Sequence, residues 1–210
     1  MGIRDGEGMH PYNRATGGNT PGDSDESLLR SVATGSDFAL AQLMDRYGER
    51  LFGFAVRLLG CPQDAEEVVS DTFVAAWRGA GKFRGECSVR AWLYSICRNL
   101  VTDRLRRRKN VSTCPLHHTV GDPSPASDPE HHAWTGWRRE QVASCVRRLP
   151  SAARQTLVLR IYGDLTYEEI AQVCNCPVGT VRSRLNYAMT RLGELLDAEN
   201  VDNCLEEDQL

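Results

Sequence analysis

Residues 165–185 read LTYEEIAQVCNCPVGTVRSRL, and how this stretch is parsed decides the fold. Thr166 followed three residues later by Glu169 is a capping box, in which a hydroxyl and an acid satisfy the free N–H groups of a helix start. The helix it opens carries Ile170, Ala171 and Val173. Asn175 and Cys176 then form a turn, and Pro177 suits the first position of the next helix. At about 100° per residue, Val178, Val181, Leu185, Met189, Leu192 and Leu196 share one stripe of that second helix. The opposite side presents Thr180, Ser183, Arg184, Asn186, Tyr187, Thr190 and Arg191, with Arg182 at its edge. Two short helices joined by a tight turn, the second amphipathic and basic, form a helix-turn-helix. Its second helix fits the major groove, where Arg bridges guanine O6 and N7 and Ser, Thr and Asn reach other edges or phosphates. A helical hairpin with a solvated face is the plainer reading. Solvated faces mix signs, however, and this one holds no acid before Glu194.

Net charge is −3, which at first argues against a nucleic-acid partner. The distribution reverses that inference. Residues 90–109 hold seven Lys or Arg against the single Asp103, and residues 178–191 hold three arginines and no acid. Residues 194–210 hold seven acids and no Lys or Arg, so two basic faces survive the acidic mean.

Residues 1–23 are rich in Gly, Asn, Thr and Pro without apolar periodicity, a disordered lead in which Met9 is a second candidate start. The lead lacks the apolar centre of a signal peptide, Gly6 breaks the myristoylation pattern, and no apolar run reaches membrane-spanning length. The expectation is a cytoplasmic protein with no membrane insertion. From Asp25 the pattern is helical: Leu28, Leu29, Val32, Phe38, Leu40, Leu43, Tyr47, Leu51, Phe54 and Leu58 recur at near-helical spacing, broken at Gly35 and Gly60. A helix from Pro62 follows, with Ala65, Val68, Val69, Thr72, Phe73, Ala76 and Trp77 on one side. After the loop RGECS comes a helix from Val89 to Lys109, striped by Val89, Leu93, Ile96, Cys97, Leu100 and Val101. Residues 110–132 contain four of the nine prolines and read as a linker. Helical patterning resumes near Trp134 and runs to about Leu196. The expected fold class is all-α: a lead (1–23), a helical domain (24–109), a flexible Pro-rich linker (110–133), a helix-turn-helix domain (134–197) and an acidic tail (198–210).

The helix from Val89 combines Trp92 and Tyr94 with seven basic residues, which suits a backbone channel flanked by platforms for unstacked bases. The run after Leu105 is the stronger signal, because five positive residues in six repel one another without an anion nearby. For the aromatics, a place in the core competes with contact to nucleic acid. The preceding helix is opposite in kind, with Asp64, Glu66, Glu67 and Asp71 in its first two turns. Dipole compensation accounts for part of this, and the remainder suits a basic protein partner.

Taken together, DAEEVVSDTFVAAW, FRGECSVRAWLYSICRNLVTDRLRR and LPSAARQTLVLRIYGDLTYEEIAQVCNCPVGTVRSRL resemble the extracytoplasmic-function group of bacterial sigma-70-type transcription initiation factors, over roughly residues 25–196. The resemblance implies an RNA polymerase sigma factor that is not an enzyme and needs no cofactor or metal. Its partners would be the polymerase core (β′ and β subunits) and promoter DNA, with an anti-sigma factor as a further candidate. By position, Asp64, Glu67 and Asp71 would hold the β′ coiled coil. Glu86, Cys87 and Ser88 would line the pocket for a flipped base of the minus-ten element, with Arg90, Trp92, Arg98 and Asn99 near the strand. Thr180, Arg182, Ser183, Arg184, Asn186 and Tyr187 would read the minus-35 element. Two departures stand out. Cys174 replaces a larger aliphatic residue, which would loosen that packing, and the acidic tail with Cys204 exceeds the usual end.

Two other readings compete. One is a plain helix-turn-helix repressor or activator, which would not need the first domain. The other is a metal or redox sensor using Cys114, His117, His118, His131 and His132, or Cys174, Cys176 and Cys204. The eight cysteines form no CxxC pair, and most read as small buried hydrophobes. No phosphate loop or catalytic constellation is present to suggest an enzyme.

Overall fold

The computed structural model describes the backbone of residues 24–110 and 141–207, with side chains over 24–108 and 141–198. Among these residues there are only helices and no strand, as the all-α reading expects. The first half contains α1 (Asp25–Ala33), α2 (Asp37–Leu59), α3 (Pro62–Gly79), a short 3₁₀ turn (Ala80–Lys82) and α4 (Val89–Asn110). The second contains α5 (141–148), α6 (Ser151–Tyr162), α7 (Tyr167–Cys174) and α8 (Val178–Glu207). The linker, its Cys and His residues, and the lead lie outside the described residues.

The breaks fall where chain chemistry puts them. Ser24 and Ser36 cap α1 and α2 by accepting from the N–H groups of Ser27 (3.2 Å) and Ala39 (3.3 Å). Gly60 ends α2 in the left-handed conformation (φ 67°), which costs a residue without Cβ nothing, and Pro62 starts α3. Asp25 ties α1 to α2 by accepting from Arg46 at 2.8 Å and from the Tyr47 hydroxyl. The expected stripes are buried or half-buried, with two exceptions. Phe38 is 75% exposed and Ala39 points inward, because the turn at Gly35 resets the helical phase that a stripe read across it assumes. On α8, Met189 is 58% exposed, while Ala188 and Leu195 are buried beside Val181 and Leu185. The true seam steps 181, 185, 188, 192, 195, so a reading one residue off, about 100° around the helix, turned Met189 outward. Helix α8 also continues past Leu196 to Glu207, through most of the acidic tail.

The halves share one buried cluster. At its middle Tyr94 is fully buried, edge-on to Phe54 with ring centroids 5.6 Å apart. Gly163, at the end of α6, closes over it: a Cβ there would lie 2.6 Å from the Leu159 carbonyl oxygen and 3.3 Å from the Tyr94 ring. Tyr94 is thus core rather than a base platform. Cys97, Cys145 and Cys174 are buried, as small apolar residues are. Burial pushes the Cys174 thiol above its usual range.

Candidate nucleic-acid interface

The helix-turn-helix is built by its caps. Thr166 Oγ1 accepts from the Glu169 N–H (3.2 Å), and Glu169 Oε2 accepts from the Thr166 N–H (2.9 Å), completing the capping box. Asn175 ends α7 in the left-handed region (φ 47°, ψ 56°), and its N–H and that of Cys176 return to the last carbonyls. Asn tolerates this conformation better than most residues. The turn is therefore tight, and α8 begins one residue after Pro177.

On α8, Arg182, Ser183, Asn186 and Tyr187 are exposed, and Tyr187 is 51% open. Thr180 and Arg184 are half-covered, with Arg184 Nη1 3.6 Å from Cys176 Sγ. The Arg182 guanidinium lies 6.0 Å from the Tyr167 ring centre, at the outer limit of a cation–π contact. The six predicted minus-35 residues thus fall on one face, with no acid among them.

The second face lies on α4 and the loop before it. Ser88 Oγ accepts from the Ala91 N–H at 3.1 Å, capping α4. Trp92 tilts against Phe83 with centroids 5.3 Å apart and covers Gly79, so it is half core. Glu86 and Asn99 are exposed, and burial raises the Cys87 thiol above its usual range. Ser88, Arg90 and Arg98 are occupied by the other half of the chain. Ser88 Oγ donates to Glu169 Oε1 (2.7 Å), Arg90 Nη2 to Glu169 Oε2 (2.8 Å), and Arg98 Nε to Gln155 Oε1 (3.0 Å). Burial alone would raise the Glu169 carboxyl. The hydrogen bonds from Thr166, Ser88 and Arg90 and the charge of Arg90 outweigh it and hold the group below its ordinary range. Sequence reasoning found Glu169 only as a cap, since nothing local signals a partner 81 residues away.

The acidic helix differs from expectation in part. Asp64 accepts from Arg104 Nη2 at 2.7 Å and pairs with Arg108, and Glu67 also pairs with Arg104. Arg108 Nη1 donates to the Leu59 carbonyl at 2.8 Å, closing the end of α2. The anion that the basic run demands is therefore supplied by α3 for Arg104 and Arg108. Only Arg106 and Arg107 of the described run are exposed. Glu66 and Asp71 stand exposed without an ion pair among the described residues. No group of three His, Cys, Asp or Glu forms a metal site among them, and the Cys204 side chain lies outside them.

Two family profiles match the chain: Sigma-70 region 2 over residues 43–111 and Sigma-70, region 4 over residues 139–192. The RNA polymerase sigma-H factor of Pseudomonas aeruginosa is 31% identical over 182 residues, covering 83% of this chain and 94% of that one. The RNA polymerase sigma factor CnrH of Cupriavidus metallidurans is 32% identical, covering 86% and 98%. Among solved structures, CnrH in complex with the cytosolic domain of CnrY aligns with TM-score 0.64 at 30% identity, over 84% of this chain and 99% of that one. The sigma factor RpoE in complex with the anti-sigma factor NepR from Bartonella quintana aligns with TM-score 0.61 at 25% identity, over 75% and 96%.

Proposed function

The chain belongs to the extracytoplasmic-function branch of the sigma-70 RNA polymerase sigma factors, and from that membership we propose how its residues divide the work of promoter-specific transcription initiation. Nucleotide addition falls to the core polymerase, and this chain supplies recognition and strand opening in the cytoplasm. No helix among the described residues is long and apolar enough to cross a membrane.

Arg182, Ser183, Asn186 and Tyr187, with Thr180 and Arg184 at the rim, read the minus-35 duplex. The observation that carries this is a one-sided α8, exposed and basic with no acid before Glu194. Each bidentate Arg–guanine contact supplies about 1–3 kcal/mol of discrimination. Glu86, Cys87 and Ser88 receive a flipped minus-ten base, with Arg90, Trp92, Arg98 and Asn99 along the strand. Extruding a base costs a few kcal/mol, which stacking and pocket hydrogen bonds offset. On α3, Asp71 with Glu67 and Asp64 docks on the β′ subunit. Because Arg104 and Arg108 hold Asp64, the exposed Asp71 carries most of this contact. An anti-sigma factor is a partner by analogy with the relative crystallised with one.

A double dissociation tests the assignment. Asp71→Lys loses core binding in a pull-down and keeps duplex promoter binding, whereas Arg182→Ala keeps core binding and loses promoter-specific transcription. Loss of core binding by Arg182→Ala would show the two roles misplaced.

A further inference from the structure

Two thiols flank the turn of the helix-turn-helix, and the roles assigned above use neither. Cys174 ends α7 and is 8% exposed, while Cys176 lies between Asn175 and Pro177 and is half-covered. Asn175 has the mirror image of the helical conformation (φ 47°, ψ 56°), so its two neighbours keep the Cα spacing of residues two apart in a helix. From helix geometry that spacing is about 5.4 Å, inside the window of about 4.4–6.8 Å that a disulfide requires. Backbone bonds hold the turn: the Asn175 N–H donates to the Gln172 carbonyl at 3.1 Å and the Cys176 N–H to the Ala171 carbonyl at 3.0 Å. The two sulfurs differ in access. Cys174 packs in the core, where burial foremost, and the charge of Cys176 more weakly, push its thiol above the usual range. Cys176 lies on the wall of an open cleft of about 530 Å³ shared with Glu168, Gln172 and Asn175, and its sulfur accepts from Arg184 Nη1 at 3.6 Å.

We propose that Cys176 and Cys174 form a peroxide-responsive dithiol: Cys176 reacts with a hydroperoxide, Cys174 resolves the product, and the bridge weakens the grip of α8 on duplex DNA. That consequence rests on the minus-35 assignment of the preceding section, whereas formation of the bridge does not. In the first step the Cys176 sulfur attacks the O–O bond and takes one oxygen as sulfenic acid. The sulfur gives up two electrons, the O–O bond breaks, and the departing oxygen leaves with the thiol proton as an alcohol or water. In the second step the Cys174 sulfur attacks that of Cys176. The S–S bond forms, the S–O bond breaks, and hydroxide leaves with the Cys174 proton as water. A dithiol reductant reverses the bridge by exchange, supplying two electrons and becoming a disulfide itself. Bridging draws Cys174 out of the core and ends the acceptor role of Cys176 toward Arg184, one of the six minus-35 residues. The turn that aims α8 therefore changes shape in the oxidised protein.

The test uses the full-length protein, one molar equivalent of hydrogen peroxide and two readouts. Trypsin cuts after Arg160 and Arg182, and residues 161–182 contain Cys174 and Cys176 and no other cysteine. After remaining thiols are alkylated, mass spectrometry should show this peptide without alkyl groups and two hydrogens lighter than its reduced form. Dithiothreitol should restore both thiols. Two unreacted thiols, or further oxidation of Cys176 without the bridge, overturn the proposal. The second readout is fluorescence anisotropy with a labelled duplex promoter fragment selected by run-off transcription. The bridged protein should bind it at least about 5-fold more weakly, the lower end of ordinary coupling between sites, and recover with dithiothreitol. Cys174→Ala keeps a small apolar side chain in the core and every other cysteine, and cannot form the bridge. It should hold its affinity before and after peroxide. Loss by Cys174→Ala equal to that of the parent, or no loss by the bridged parent, overturns the switch. Because the mass readout involves no DNA, failure to bridge refutes the dithiol whatever α8 reads, and a failed sigma assignment shows separately in transcription with core polymerase.

Discussion

Helix α8, proposed above to read duplex DNA, and helix α4, proposed to face the melted strand, carry similar polar equipment, and the chain treats them in opposite ways. On α8, Arg182, Ser183, Asn186 and Tyr187 stand in solvent, with only a distant ring beside Arg182. On α4 and its cap, Ser88, Arg90 and Arg98 are held by Glu169 and Gln155 of the other half, and Tyr94 is sealed beneath Gly163. An exposed face can be altered without disturbing the fold. A covered face couples binding to packing, so any change there is felt in both.

That contrast can be broken from its floor upward. Phe54 supports Tyr94 edge-on and is fully buried, so Phe54→Ala should cost about 3–5 kcal/mol of stability in urea unfolding. A loss below about 1 kcal/mol would show that the covered face does not rest on this ring. The exposed face should respond the other way. Arg182→Ala should lower promoter-specific transcription by about 10- to 100-fold, the equivalent of one bidentate base contact of about 1–3 kcal/mol, with the unfolding midpoint unchanged. A shifted midpoint would mean that α8 is not the independent face described. Between the two lies Thr166, whose loss in Thr166→Ala removes half of the capping box and should cost about 1 kcal/mol in the helix-turn-helix half, read by amide hydrogen exchange along α7. The smallest effect is expected for Arg106→Ala. Its pairing with Asp103 at 2.9 Å is exposed, so thermal unfolding should change by less than about 0.5 kcal/mol. A larger change would place Arg106 with Arg104 and Arg108 among the structural arginines.

What could be read from the sequence follows the range of the interactions concerned. The capping box at Thr166–Glu169, the turn at Asn175 and the helix breaks at Gly35 and Gly60 are local, and each is found where expected. The stripes of α3 and α4 are uninterrupted periodic patterns and hold in full or nearly so, with Ile96, Leu100 and Trp77 half-covered. Phe38 and Met189 were misread because periodicity fixes a phase only within one unbroken helix, and only to about one residue, roughly 100°. The destinations of Arg104, Arg108 and Glu169 were not legible, since their partners lie 37 to 81 residues away and no periodic pattern encodes such pairs. A basic run shows that it needs anions without showing whether DNA or the chain's own acids supply them.

The most direct test of the account is run-off transcription with purified core polymerase on a library of promoter fragments, with and without this protein. The account predicts initiation at a shared pair of minus-35 and minus-ten sequences only when the protein is added. Its absence with folded protein and active core, alongside a footprint on duplex DNA that needs no polymerase, would contradict the sigma assignment and leave a plain helix-turn-helix DNA binder.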